Sequence, residues 1–197
     1  MSDTKTILIA YPKEFLCYSK LQRKVQFYTS QSPEVRLVAM TDPNGYVSAY
    51  AEEQGLPFEQ VDDQAGAVEK ATHAILFEDR ECFAELRGAL GHATIPTRVV
   101  PLQLTLVVNK DRGEIYDVYI GRGTIWGNPY QMGQDGDRDE VIRKFAYDFG
   151  RGFLKASENL EHNLGIIRGK VIACHCKPAA CHGDVLAAHL NAQDDGQ

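Results

Sequence analysis

Between residues 5 and 100 the chain alternates short apolar runs with segments of helical period, and this alternation limits its fold more than any other feature. TILIA (Thr6 to Ala10), VRLVAM (Val35 to Met40), PFEQV (Pro57 to Val61), AILF (Ala74 to Phe77) and TRVV (Thr97 to Val100) read as strands. Helical stretches near 15–27, 45–53, 64–71 and 80–90 separate them. Strands divided by helices of about ten residues pair in parallel through right-handed crossovers. The expected fold class is α/β: a Rossmann-like parallel sheet with helices on both faces. In such a sheet ligands sit beyond the carboxyl ends of the strands, here at AYPKEF and MTDPNG. Only Gly45 is present to let a backbone approach a phosphate.

After Gln103 the pattern changes. LTLVVN (Leu104 to Asn109) and IYDVYI (Ile115 to Ile120), separated by KDRGE, predict a hairpin turning near Gly113. A long glycine-rich loop, GRGTIWGNPYQMGQDGD, follows, and its aromatic residues Trp126 and Tyr130 argue that it is ordered and functional. Asp137 and Glu140 have the spacing of a capping box. Val141, Ile142, Phe145, Phe149 and Phe153 then form an apolar stripe. GKVIACHC reads as a last strand and DVLAAHLNA as a last helix. The expected domains are therefore 1–101 and a smaller α/β domain at 102–197, which ends strand, Cys-x-Cys, turn, Cys-His-Gly-Asp, helix.

ACHCKPAACHGD (173–184) carries three of the chain's five cysteines and two of its six histidines. On a strand Cys174 and Cys176 share a face and His175 points away. Cys181 and His182 precede a helix, whose free N–H groups and dipole favour a thiolate, so Cys181 is the expected nucleophile. Asp184 either caps that helix or orients His182 as acid or base. Cys176 completes the catalytic candidates, while His175 and His189 read as structural and Cys17 and Cys82 as small core residues. Cys174, Cys176, Cys181 and His182 also have the number and softness of a structural zinc site, although C-x-C and an adjacent Cys-His pair strain a tetrahedron. Catalytic thiol, zinc cage and simple packing stay open at this level.

The glycine loop supplies ligand-binding candidates. Gly121 and Gly123 flank Arg122, whose fork suits phosphate or carboxylate. Trp126 offers a stacking face, and Gly127 and Asn128 offer backbone freedom and a donor–acceptor pair. Singly, each has a structural explanation; together they make a nucleotide-sized pocket.

Two resemblances follow from these motifs. On YVSAYAEEQGLPF, ATHAILFED and ALGHATIPTRVV, the first half resembles a degenerate SLOG domain, the Rossmann-like nucleotide-binding superfamily of the lonely-guy phosphoribohydrolases and DprA. The glycine-rich loop of that superfamily has become TDPNG here, so a scaffold or homodimerisation role stands beside nucleotide binding. VYIGRGTIWGNPY, RDEVIRKF and LGIIRGKVIACHCKPAACHGDVLAAHL resemble the phage and bacterial domain of unknown function 4326, with a histidine at 175 where that family tends to have an aromatic residue.

The net charge is −6, and neither half is basic, so non-specific nucleic-acid binding is disfavoured. No run of 18 or more apolar residues offers a membrane span, and MSDTKT lacks the features of a signal peptide, so a cytoplasmic protein is expected. Two functions remain. One is a protein, enzymatic or not, that binds a nucleotide, nucleoside or phosphorylated metabolite and acts on a glycosidic bond or transfers a group. The other is a zinc-stabilised module that contacts protein or nucleic acid without catalysis.

Overall fold

The computed structural model describes residues 4–30, 32 and 34–196. These residues cluster into two units, one running to Leu102 and resuming at Asp194, the other spanning Gln103–Gln193.

Five strands make the first unit's sheet: β1 (Lys5–Ala10), β2 (Val35–Ala39), β3 (Phe58–Gln60), β4 (His73–Glu78) and β5 (Thr97–Pro101). All pair in parallel, in the order β3-β2-β1-β4-β5. Helices α1 (Tyr18–Thr29), α2 (Tyr46–Gln54), α3 (Gln64–Lys70) and α4 (Ala84–His92) form the crossovers. The sheet is Rossmann-like, and its central strands are buried because both faces are covered: Leu8, Ile9, Leu37, Leu76 and Phe77 have essentially no exposure. Two helices start later than their periodicity suggests. Arg80 and Glu81 hold positive φ, which no α-helix accommodates, so α4 opens at Ala84. α1 opens at Tyr18 because Phe15 closes a turn, its N–H bonded to the Pro12 carbonyl, and packs against Phe77. The residues from Asp194 onward belong here because Lys20, only 4% exposed, needs a counter-charge. Asp195 supplies it at 2.6 Å, and Asp194 pairs with Arg23 at 2.7 Å.

In the second unit β6 (Leu106–Asn109), β7 (Val118–Tyr119) and β8 (Val171–Cys174) form a parallel sheet in the order β6-β8-β7. The expected hairpin is absent. Its turn does form, as a 3₁₀ turn at Lys110–Arg112 followed by Gly113 at φ 72°, but it leads to a strand on the far side of β8. The apolar VIAC run of β8 takes the centre, where both faces are covered. Helices α5 (Arg138–Arg151), α6 (Leu160–Ile167) and α7 (His182–Asn191) pack around a core of Ile120, Trp126, Phe145, Phe149, Leu164, Ile172 and Leu186. Asp137 caps α5, its carboxylate accepting the Glu140 N–H at 2.9 Å. The apolar stripe stops at Phe149. Gly152 ends the helix in the left-handed region, leaving Phe153 70% exposed. Thr105 and Asn191 lock β6 to the end of α7 by a reciprocal pair: the Thr105 N–H donates to the Asn191 Oδ1 at 2.8 Å, and the Asn191 Nδ2 donates to the Thr105 carbonyl at 3.0 Å.

Candidate functional site

Beyond the end of β7, residues 121–130 fold back on themselves because their backbone passes very close to itself. A Cβ on Gly127 would lie 2.9 Å from both the Arg122 Cα and the Gly121 carbonyl oxygen, so only glycine fits. Thr124 closes the first turn, its hydroxyl donating to the Gly121 carbonyl at 2.8 Å and accepting the Trp126 N–H at 3.2 Å. The Asn128 Nδ2 donates to the Val141 carbonyl of α5 at 3.1 Å, and its Oδ1 accepts the Tyr130 N–H at 2.9 Å. Tyr130 reaches Asp148 at 2.5 Å. The loop is thereby fastened along α5.

The thiol corner forms where β8 ends and α7 begins. Buried Asn109, at the end of β6, donates through Nδ2 to the Lys177 carbonyl at 2.5 Å and fixes the Cys-x-Cys segment. Cys181 is the N-cap of α7 and forms a capping box with Asp184, whose carboxylate accepts the Cys181 N–H at 2.8 Å. Asp184 also pairs with Lys177. Asp184 thus caps the helix, and the orientation of His182 comes from elsewhere. The His182 Nε2–H donates to the Ile120 carbonyl at 2.9 Å, leaving Nδ1 as the unprotonated nitrogen of the neutral ring.

Loop and thiol corner meet in one cavity of about 440 Å³. Gly121, Arg122, Asn128, Tyr130, Arg138, Val141, Cys174, Cys176, Cys181 and His182 are among its lining residues. Among the described residues no aspartate or glutamate lines it, although the chain as a whole is acidic. Arg122 donates to the Tyr130 carbonyl and Arg138 to the Ala180 carbonyl, each at 3.1 Å, and neither guanidinium is paired with a carboxylate among the described residues. The cavity wall thus carries two guanidinium groups beside an apolar side at Val141 and Ile142. Arg122 and Asn128 also belong to the wall of a second cavity, of about 530 Å³, together with Gly123, Gly127, Ile125 and Phe153.

The sulfurs on the cavity floor do not behave alike. The Cys174 and Cys181 Sγ atoms are 3.1 Å apart, and both residues are at most 2% exposed. The hydrogen bond shared with Cys181 holds the Cys174 thiol well below the ordinary range, against the opposing effect of burial. The Cys176 and Lys177 N–H groups and His182 assist. Cys181 is pushed up by the same sharing, by burial and by the Asp184 carboxylate. The two sulfurs therefore titrate together, with Cys174 favoured and Cys181 disfavoured as the site of the charge. The helix N-terminus makes Cys181 the expected thiolate; here the hydrogen bond shared with Cys174, burial and, after them, the Asp184 carboxylate oppose its ionisation. Burial keeps His182 below its usual range, and the Arg122 charge acts in the same direction, so the ring is neutral near pH 7.

Two other expectations are placed differently. Trp126 is 3% exposed, packs in the core and lines neither cavity, so its ring stabilises the loop from beneath. Of the four zinc candidates, Cys174 and Cys181 face one another and His182 is turned to the Ile120 carbonyl; among the described residues no group of three or more His, Cys, Asp or Glu side chains is arranged to hold a metal ion.

Sequence reasoning missed Arg138 and a chain formed by Asp111, His175 and Tyr119. The Asp111 Oδ2 lies 2.7 Å from the His175 Nδ1, and the Tyr119 hydroxyl lies 2.9 Å from Nε2, at the cavity wall. Asp111 is remote from His175 in sequence, and no local pattern joins them. The only available signal was the alternation that turns His175 away from the thiols.

In the first unit the N-terminus of α2, where Rossmann-like sheets receive phosphate, is already occupied. The Asp42 carboxylate accepts the Val47 and Ser48 N–H groups at 3.1 and 2.9 Å, the Ser48 hydroxyl at 2.8 Å, and the Tyr11 hydroxyl. The TDPNG loop thus supplies its own anion.

Among the described residues no helix is long and apolar enough to cross a membrane. Residues 4–108 match the family described as Minimal SLOG domain, and residues 107–192 match Domain of unknown function (DUF4326). The chain is 42% identical over 98 residues to the "Uncharacterized 12.4 kDa protein in nrdA-td intergenic region" of Enterobacteria phage T4; the match covers 48% of this chain and 87% of that protein. No solved structure matches.

Proposed function

The chain belongs to the minimal SLOG domain family, which is nucleotide-related in general, and from that premise we propose that its ligand is a nucleotide or related phosphorylated metabolite held in the second unit. The observation that carries this reading is the carboxylate-free cavity into which Arg122 and Arg138 bring two unneutralised guanidinium groups. The two arginines grip the phosphate beside Gly121, while Gly123 lies on the wall of the neighbouring cavity. Asn128 keeps the loop in place, since both ends of its amide are engaged. The base or sugar lies along Val141, Ile142 and Tyr130.

Where chemistry follows, Cys174 is the nucleophile, Cys181 its hydrogen-bond donor and neutral His182 the acid–base group, in cleavage of a glycosidic bond or transfer of a group. Cys176 lines the same wall beside them. The first unit is the scaffold, since Asp42 fills its phosphate position; it also provides the surface for a homodimer, which light scattering tests. A reducing, cytoplasmic setting suits the five unpaired cysteines.

A thermal-shift screen over nucleosides and their 5′-phosphates tests the reading. Phosphorylated compounds should stabilise the chain and nucleosides far less, and Arg122→Ala should weaken binding by about tenfold to a hundredfold. Equal shifts for both classes, or unchanged affinity in Arg122→Ala, would remove the anion role.

A further inference from the structure

Non-bonded sulfur atoms rarely sit as close as those of Cys174 and Cys181. Their 3.1 Å separation compares with about 2.05 Å in a disulfide, so bond formation needs a movement of about 1 Å shared between the end of β8 and the first turn of α7. Both thiols are free, and both, though at most 2% exposed, line the cavity. The walls also select by charge, with two unpaired arginines and no carboxylate.

We propose that Cys174 and Cys181 are a reversible dithiol–disulfide couple that exchanges with small anionic disulfides entering the cavity. This inference stands on the sulfur geometry and the wall charge and does not depend on a nucleotide ligand. The Cys174 thiolate attacks one sulfur of R–S–S–R. A Cys174–S–S–R bond forms and R–S⁻ departs beside the arginines, where it takes the proton of the Cys181 thiol. The Cys181 thiolate then attacks the Cys174 sulfur and expels the second R–S⁻. Two electrons pass from the cysteine pair to the small disulfide, which leaves as one thiol and one thiolate, while the protein gains a single S–S bond. Cys181 resolves the mixed disulfide because it already touches Cys174, whereas Cys82 is exposed and in the other unit.

The test uses the full chain, reduced and free of nucleotide. It is incubated separately with 2,2′-dithiodiacetate, a dianion, and with bis(2-hydroxyethyl) disulfide, a neutral molecule of similar size, then digested without reduction and mapped by mass. The expected product is a Cys174–Cys181 cross-link lighter by two hydrogens and reversible with dithiothreitol. Relative to modification of Cys82 in the same chain, it should form at least about tenfold faster with the dianion than with the neutral disulfide. The combined Arg122→Ala and Arg138→Ala change should erase that preference, and Cys181→Ser should accumulate the mixed disulfide on Cys174. A wild-type chain whose Cys174 and Cys181 stay reduced while Cys82 is modified would overturn the couple without needing any variant. Equal relative rates for the two disulfides would overturn the anionic substrate class. Nucleotide binding can succeed or fail independently of either result.

Discussion

At the scale of single residues, the site depends on close approaches that leave no room for substitution. Gly127→Ala would drive a methyl group into the backbone of Gly121 and Arg122, so the loop must open. A loss of about 2–4 kcal/mol in chemical denaturation is expected, together with loss of any ligand binding. Asn128→Ala should show a smaller loss of the same kind, because it removes two hydrogen bonds rather than creating a clash. The thiols make a prediction of a different sort. With the first proton of the Cys174–Cys181 pair lowered, alkylation of Cys174 should persist at pH values where an ordinary thiol has ceased to react. Cys181→Ser replaces the thiol donor and should move the midpoint of that profile; an identical profile in wild type and variant would show that the two sulfurs do not share a proton.

At the scale of elements, polar side chains at strand and helix ends fix where the apolar segments stop. Asn191→Ala leaves the Thr105 N–H and carbonyl without partners in a buried place and should cost roughly 2–4 kcal/mol in urea denaturation. Asp42 makes the corresponding contribution in the first unit. Burial opposes its ionisation, but the hydrogen bonds from Tyr11, Ser48 and Val47 prevail and hold its carboxyl below the ordinary value of 3.8. Its stabilising effect is therefore fully present above about pH 4 and is lost as the pH falls through the folded value. Asp42→Asn should flatten the acid limb of the stability curve, and an unchanged limb would contradict the assignment.

Most elements were legible in the sequence, because an apolar run between turn signals reads as a buried strand whatever its partners. β1 to β5, the cap of α5 and the final strand and helix all follow from local pattern. The pairing of β6 and β7 did not, since a hairpin and two strands flanking a third share the same local signals, and only the inserted β8 decides between them. α6 was not legible although Asn159 stands at its N-cap, a position where its side chain makes no capping hydrogen bond, and Phe153 fell outside its helix because Gly152 could turn there. Within the site, the glycine-arginine turn and the cysteines were legible as separate motifs. The contact between the Cys174 and Cys181 sulfurs was not, because it depends on how the end of β8 and the start of α7 meet in space. The sequence leaves Trp126 between stacking and core, because the same residue type serves both, and the structure buries it.

At the scale of the whole molecule, two units each hold a core of their own, one centred on Leu8, Val38, Leu76 and Leu90, the other on Phe145, Ile172 and Leu186. The chain leaves the first at Leu102 and rejoins it at Asp194. A ligand taken by the second unit should slow hydrogen exchange within 119–182 and leave the amides of α2 unchanged; protection at Val47 and Ser48 would instead place the ligand where Asp42 sits. The central claim is that a phosphorylated ligand covers the thiol floor beneath Arg122 and Arg138. The most direct measurement is the rate of iodoacetamide alkylation of Cys174 across a panel of nucleoside 5′-monophosphates, with Cys82 as the reference thiol in the same chain. The account predicts that at least one of them slows alkylation of Cys174 saturably, leaves Cys82 unaffected, and loses this effect in Arg122→Ala. Alkylation of Cys174 that no member of the panel slows, or that slows equally in wild type and Arg122→Ala, would contradict it.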